Sequence, residues 1–148
     1  MEYYKQQYLK WLQYLQQYWG LQESFAMYVG GAQAYIQSRG GIAVPIVSGL
    51  RSARYQRALQ ERWDAGHRRG LVSRPASRSW HMQGLAVDVM TNHPNFPAFR
   101  WLMLHWGNRW GGNFSSYDPV HFDRPTGELL SIDQIIAAGQ DKVYGNLG

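Results

Sequence analysis

Two short segments of this chain carry side chains able to hold a metal ion. Residues 79–89 read Ser-Trp-His-Met-Gln-Gly-Leu-Ala-Val-Asp-Val, and residues 118–123 read Asp-Pro-Val-His-Phe-Asp. In an extended chain alternate side chains share a face. A strand over residues 84–90 would send Leu85, Val87 and Val89 into a core and Gly84, Ala86 and Asp88 the other way. A carboxylate among valines is costly to bury without a partner. A cation resolves that cost, and His81, just before the strand, is a co-ligand. A strand over residues 119–123 would put Val120 and Phe122 on the core and His121 and Asp123 together on the opposite face. Two histidines and one aspartate are donors that zinc accepts, and three protein ligands leave a fourth position open, as in catalytic zinc sites. Zinc lowers the pKa of a bound water from about 15.7 to roughly 7, which makes hydroxide available at neutral pH. Cysteine is absent from the chain, so disulfides and thiolate metal sites are excluded. His67, His93 and His105 lack neighbours of this kind, and no role is assigned to them.

The elements that must hold these residues can be read from periodicity. Residues 2–19 form a helix rich in Tyr, Gln, Leu and Trp, with Tyr4, Tyr8, Trp11, Leu15 and Tyr18 drawing one apolar stripe. Packing of that stripe on the body is the first reading. Self-association and peripheral membrane contact are its alternatives, because Tyr and Trp suit a half-wet surface. Gly20 breaks the helix, and a second runs from about Glu23 to Ser38 before the stop Arg39-Gly40-Gly41. Residues 42–48 read as a strand, with Pro45 indicating an edge or a bulge. Ser52 caps a third helix in which Tyr55, Leu59 and Trp63 recur at four-residue spacing before Gly66. Residues 66–79 are a loop without periodicity. Pro97 opens another helix with Phe99, Leu102, Met103 and Trp106 on one face, ended by Gly107. Ser131 caps a last helix through Ala138, and the tail beyond Gly139 is expected to fray. Short strands mixed with helices, joined by connections too short for repeated crossovers, predict an α+β fold. The expected division is an N-terminal helix over residues 1–22, a domain over 23–140 and a tail over 141–148.

Length and charge set further bounds. The chain has 148 residues, enough for one hydrophobic core, and 15 Lys and Arg against 10 Asp and Glu. The excess is concentrated: residues 51–78 hold eight arginines against Glu61 and Asp64. A solvated helix face followed by a basic loop is one reading, and contact with an anionic polymer or membrane surface is the other. The chain carries no nucleic-acid motif, so nucleic acid is not an expected partner. No segment approaches the roughly 20 apolar residues of a spanning helix, and glutamines interrupt every apolar run at the N-terminus that could serve as a secretory signal.

The segment Ser79–Val89 resembles the SxHxxGxAxD motif of the LAS zinc metallopeptidases, which include lysostaphin-type enzymes, D-Ala-D-Ala metallopeptidases and the Hedgehog signalling domain. The chain is most similar to the branch of D-alanyl-D-alanine carboxypeptidases and phage L-alanyl-D-glutamate endopeptidases. Ser48-Gly49-Leu50-Arg51-Ser52, followed by Gln56, resembles that branch's SGYRS segment with Leu50 in place of tyrosine. Trp110-Gly111-Gly112-Asn113-Phe114 resembles its WGGDW segment, and Asp118-Pro119-Val120-His121-Phe122 its closing DxxHF element. The resemblance spans residues 33–123 and leaves out the N-terminal helix and the segment after Asp123.

That likeness implies a small antiparallel sheet carrying a zinc site flanked by helices. It implies His81, Asp88 and His121 as zinc ligands and Asp118, where many relatives have glutamate, as the general base. Arg51 would bind the scissile carbonyl or the developing oxyanion. Ser79 would bind substrate or hold the His81 loop, Asp123 would orient His121, and Trp110 would pack rather than wall the cleft. The implied partner is the peptidoglycan stem peptide, and the implied reaction is amide hydrolysis. The compact chain without a signal resembles a phage-type lysin, acting at the wall after release from the cytoplasm or as part of a virion. The rival reading is a wall-binding or structural protein that keeps the zinc fold without turnover; Asp118 and Arg51 argue against it, since binding alone needs neither.

Overall fold

The computed structural model describes residues 2–142. Helices α1 (Glu2–Gln17) and α2 (Glu23–Ser38) pack against each other along α1's aromatic stripe. Leu15 is fully buried, and Tyr4, Tyr8, Trp11 and Leu12 are half-buried. Tyr18 departs from the expected stripe: the helix ends at Gln17, and Trp19 turns inward in its place while Tyr18 stays exposed. Gly30 of α2 admits the close approach, because a Cβ there would lie 3.3 Å from the Trp11 side chain. Gly40, at φ +82°, stops α2, as only glycine adopts that conformation freely.

Four short strands follow: β1 (Ile46–Ser48), β2 (Ala86–Val89), β3 (Arg109–Trp110) and β4 (His121–Asp123). They form one antiparallel sheet in the order β1-β2-β4-β3. Among the described residues the fold is α+β, with a small antiparallel sheet and five α-helices. The first strand is shorter than the expected 42–48, since Pro45 has no N–H to donate and pairing starts after it, at an edge and with a register shift between Ile46 and Ser48. Leu85, Val87, Val89 and Phe122 face the core against Phe25 and Val29 of α2 and Phe99 and Met103 of α4 (Phe96–His105). Each of these large side chains contributes about 1.5–3 kcal/mol by leaving water. Val120 corrects the sequence reading: it precedes β4, is half-buried and lines the cleft rather than the core.

Helix α3 (Ala53–Asp64) starts at its Ser52 cap as expected and buries a partly polar face. Its buried face is Ala53, Gln56, Leu59 and Gln60, while Tyr55 is exposed. The two buried glutamines fasten the loop over residues 66–79: Gln56 Nε2 donates to the Ala76 carbonyl at 2.8 Å, and Gln60 Nε2 to the Pro75 carbonyl at 2.9 Å. Polar pairing, not apolar spacing, therefore selects the inward face. A second small core joins Ala53 and Met82 to Ile132 and Ile135 of α5 (Ile132–Ala137). Ser131 and Gln134 form a full capping box at the start of α5. Beyond Gly139 the chain is tied down as far as Asp141, whose Oδ1 accepts from Ala53 N at 2.6 Å while Oδ2 accepts from the Arg54 guanidinium at 3.0 Å. Residues 143–148 of the expected tail lie outside the described residues. Among the described residues no helix is long and apolar enough to cross a membrane.

Candidate metal centre

Sheet register brings the candidate ligands together. Asp88 of β2 lies directly opposite His121 of β4 and opposite Ser48 of β1, so these three side chains form a row on the face away from the core. Asp123 sits two residues along β4 on that same face, opposite both Ala86 and Arg109. Ala86 is small enough to leave room there, as its position in the sequence suggested. His81 arrives from outside the sheet on a short 3-10 turn, Trp80–Gln83. Ser79 Oγ caps that turn by accepting from His81 N at 3.2 Å, so Ser79 holds the His81 loop. Gly84 ends it at φ +71°, and a Cβ there would lie 2.6 Å from the Gly20 carbonyl oxygen.

One donor atom from each of His81, Asp88 and His121 lies within 4.8 Å of the others, the spacing of a metal-ligating group. The outer hydrogen bonds settle which nitrogens face the centre. His81 Nδ1 lies 2.9 Å from the Gly49 carbonyl, which can only accept, so Nδ1 carries the proton and Nε2 is left facing Asp88 Oδ1 at 3.2 Å. His121 Nε2 donates to Asp123 Oδ2 at 2.7 Å, which leaves Nδ1 toward Asp88 Oδ1 at 3.3 Å. Asp123, only 1% exposed, is itself gripped by Arg109, whose Nε and Nη2 meet its two oxygens at 2.7 and 2.9 Å. Imidazoles oriented by a carbonyl and a carboxylate are the supporting arrangement that metal-bound histidines require.

Electrostatics sharpen this picture. Burial works against the charge of Asp88, but hydrogen bonds from His121 and His81 outweigh it and hold the carboxyl well below the usual carboxylate range. Burial also works against a charged His121, yet its bonds to Asp123 and Asp88 push its pKa up to about 9. Asp123 is lowered in the same way, burial being overcome by His121 and Arg109. Until a cation binds, these carboxylates favour a proton on His121 Nδ1, which faces Asp88. Anionic carboxylates and inward nitrogens suit zinc, and they suit other divalent metals with nitrogen and oxygen preferences as well.

Asp118 stands at the rim, half exposed, with Oδ2 4.0 Å from His121 Nδ1. Burial, followed by repulsion from Asp88, raises its pKa above the ordinary aspartate value. Its turn is pinned by contacts that leave no slack. Asp118 N donates to the Gly111 carbonyl at 3.0 Å, and a Cβ on Gly111 would lie 2.1 Å from the Asp118 carbonyl oxygen. Trp110 packs on the core and donates its Nε1 to the Pro119 carbonyl at 2.8 Å, so its role is to brace this turn. Arg51 reaches the site from the β1–α3 connection, Nη2 3.8 Å from Asp88 Oδ2, with its fork held by Ser48 Oγ and Gln56 Oε1 at 3.3 Å each. All the side chains singled out by spacing and resemblance therefore border one cleft or support its floor.

Two contributors, Arg109 and the segment after α1, were not legible in the sequence. Arg109 is an exposed-looking residue whose partner lies 14 positions away. Gln56 entered only through a motif, and its bond to Arg51 gives it a reason. The segment after α1 matters most: Trp19 O accepts from Leu50 N at 2.7 Å, and Gln22 N donates to the Gly84 carbonyl at 2.9 Å. Residues 19–22 thus buttress both turns that carry His81 and Arg51, although they lie outside the stretch resembling known peptidases. Of the other histidines, His93 accepts from Asn95 N and His105 stacks on Trp101.

No protein-family model matches the chain, and no curated protein sequence does. Among solved structures, the chain is similar to the crystal structure of Serratia marcescens L-Ala D-Glu endopeptidase ChiX, with 21% identity over 80% of this chain and 86% of that one, at a TM-score of 0.43.

Proposed function

We propose that this chain is a zinc-dependent peptidase that hydrolyses an amide bond in the stem peptide of bacterial peptidoglycan. The observation that carries the reading is the convergence of His81 Nε2, an Asp88 oxygen and His121 Nδ1, with both imidazoles turned inward by an outer hydrogen bond. Zinc held by these three groups would supply a Lewis acid that polarises a carbonyl and acidifies water. Asp118 takes a proton from the attacking water on a carboxylate oxygen and returns it to the leaving amine as the C–N bond breaks. Its raised pKa and half-exposed position at the rim suit that exchange. Arg51, held rigid by Ser48 and Gln56, donates to the carbonyl oxygen as negative charge builds there. A protein that only bound wall would need neither group.

The four ordered segments shared with the branch of D-alanyl-D-alanine carboxypeptidases and phage L-alanyl-D-glutamate endopeptidases support a stem-peptide amide as the target; of the two bonds cut in that branch, the L-alanyl-D-glutamate bond, cut by a lysin released to the wall, is the reading put to test. The test is digestion of purified peptidoglycan with identification of new termini by mass spectrometry. Zinc-loaded protein should release new L-alanine carboxyl and D-glutamate amino termini. Chelation should abolish this reversibly. Asp118→Ala should retain zinc and lose about 10²–10⁴-fold in rate. Free D-alanine as the sole product would move the assignment to a carboxypeptidase. Folded, zinc-loaded protein that releases no termini from several wall types would overturn the catalytic reading.

A further inference from the structure

The cleft that holds the candidate ligands has a second wall that the proposed chemistry does not use. The cleft has a volume of ≈ 720 Å³, and besides His81, Asp88, Asp118 and His121 it is lined by Arg62, Arg69, Arg74 and Arg78. Arg74 is neutralised by a two-pronged pair with Asp64, at 2.9 and 3.0 Å. The other three have no carboxylate partner among the described residues. Arg62 donates to the Arg69 carbonyl, Arg78 to the Leu129 carbonyl and Gln134 Oε1, and the Arg69 guanidinium bonds to no protein group among the described residues. Three cations with no directly paired carboxylate among the described residues therefore line one cleft, an arrangement that repels itself and favours an anion beside them.

The loop that carries them is held in place. Gln56 and Gln60 fasten residues 75–77, Ile132 N donates to the Ser77 carbonyl at 2.9 Å, and Arg62 ties the carbonyl of Arg69 back to α3. A basic segment serving only solubility needs none of this bracing. Residues 51–78 contain no lysine at all, and arginine's planar fork matches a carboxylate in a way that an ammonium does not.

We infer that the arginine wall binds a free carboxylate of the substrate, so that the cleft selects acidic peptides and discriminates against their amidated forms. The inference rests on the peptidase reading and names the substrate class of that site. The wall is concave and shared with the metal ligands, which fits a short peptide lying across the reacting groups rather than a long phosphate polymer tracking a convex face. In a stem peptide the carboxylate concerned is the α-carboxylate of the γ-linked D-glutamate, which becomes a neutral amide in isoglutamine-containing walls. Arg69 is the residue with the free fork.

The test uses zinc-loaded Asp118→Asn protein and calorimetric titration with two peptides, L-Ala-γ-D-Glu-L-Lys and its isoglutamine amide. The acid should bind about tenfold more tightly than the amide, the worth of one charge-assisted pair. Arg69→Gln should erase the difference by weakening the acid alone, whereas Arg39→Gln, the same charge loss at the end of α2, should preserve it. Equal affinity of the two peptides for the parent protein overturns the inference. So does displacement of both by an inorganic polyphosphate that binds more tightly than either. Wild-type turnover is measured in parallel. Cleavage of both peptides at equal kcat/KM sinks the arginine wall and leaves the peptidase standing, whereas acid-selective binding with no cleavage sinks the peptidase and keeps the wall.

Discussion

Replacing Asp123 by asparagine separates the metal centre from its support. In the native site Asp123 accepts from His121 at 2.7 Å and from both prongs of Arg109, and it is buried from water. Asparagine keeps one acceptor oxygen but turns an amide N–H₂ toward a donor, and it removes the charge. Two effects on zinc affinity follow, and they have opposite pH signatures. Loss of the supporting carboxylate makes His121 Nδ1 a poorer ligand, worth about 10–100-fold in affinity. Against this, the proton that occupies Nδ1 leaves more readily. In the native protein His121 titrates at about 9, so each pH unit below that costs about tenfold in apparent zinc affinity, or roughly 100-fold at pH 7. Without Asp123, burial of His121 goes less opposed and its pKa falls. A competitive fluorescent chelator read between pH 7 and 9.5 should therefore give a slope near one for wild type, levelling above pH 9. The Asp123→Asn curve should lie lower at high pH and be much flatter. A wild-type affinity that does not change between pH 7 and 9 would refute the assignment of Nδ1 as the protonated, metal-facing atom.

The same raised pKa governs the metal-free fold. Because the folded value of about 9 exceeds the unfolded value, His121 contributes stability that is complete below about pH 6.5 and lost as pH rises through 9. The melting temperature of chelated protein should fall across that window, and zinc-loaded protein should show no such fall, since the metal has replaced the proton. Leu15→Ala should cost about 2–5 kcal/mol by urea denaturation, because Leu15 is fully buried between α1 and α2; a change within 0.5 kcal/mol would show that α1 is only peripherally attached. Gly49→Ala places a Cβ 2.6 Å from the Trp19 carbonyl oxygen and must displace the carbonyl that orients His81. Zinc affinity measured with the chelator should drop by at least about tenfold, while Gly40→Ala, strained by its φ of +82° but meeting nothing within 4 Å, should leave it unchanged.

Several features of this protein were determined locally, and those were legible in the sequence. Helix α1 and the strand β2 follow from the spacing of apolar residues, because a 3.6- or 2-residue period is a property of neighbours along the chain. The caps Ser52 and Ser131 act on N–H groups three residues away, as Ser131 does on Gln134, and they stand where the sequence put them. The residues able to ligate a metal could be named because β2 and β4 each alternate a valine or phenylalanine with a polar side chain. Tertiary structure decided the rest. Which nitrogen of each histidine faces the centre depends on Gly49 and Asp123, and the first of these lies 32 residues from its partner. The inward face of α3 was not legible, because glutamines are buried there by bonding to carbonyls of a loop 15–20 residues away, which no periodicity records. Val120 left the core because β4 begins one residue after it. The arginine cluster was visible as a charge excess, but only folding placed Arg62, Arg69 and Arg78 in the same cleft as His81, Asp88 and His121.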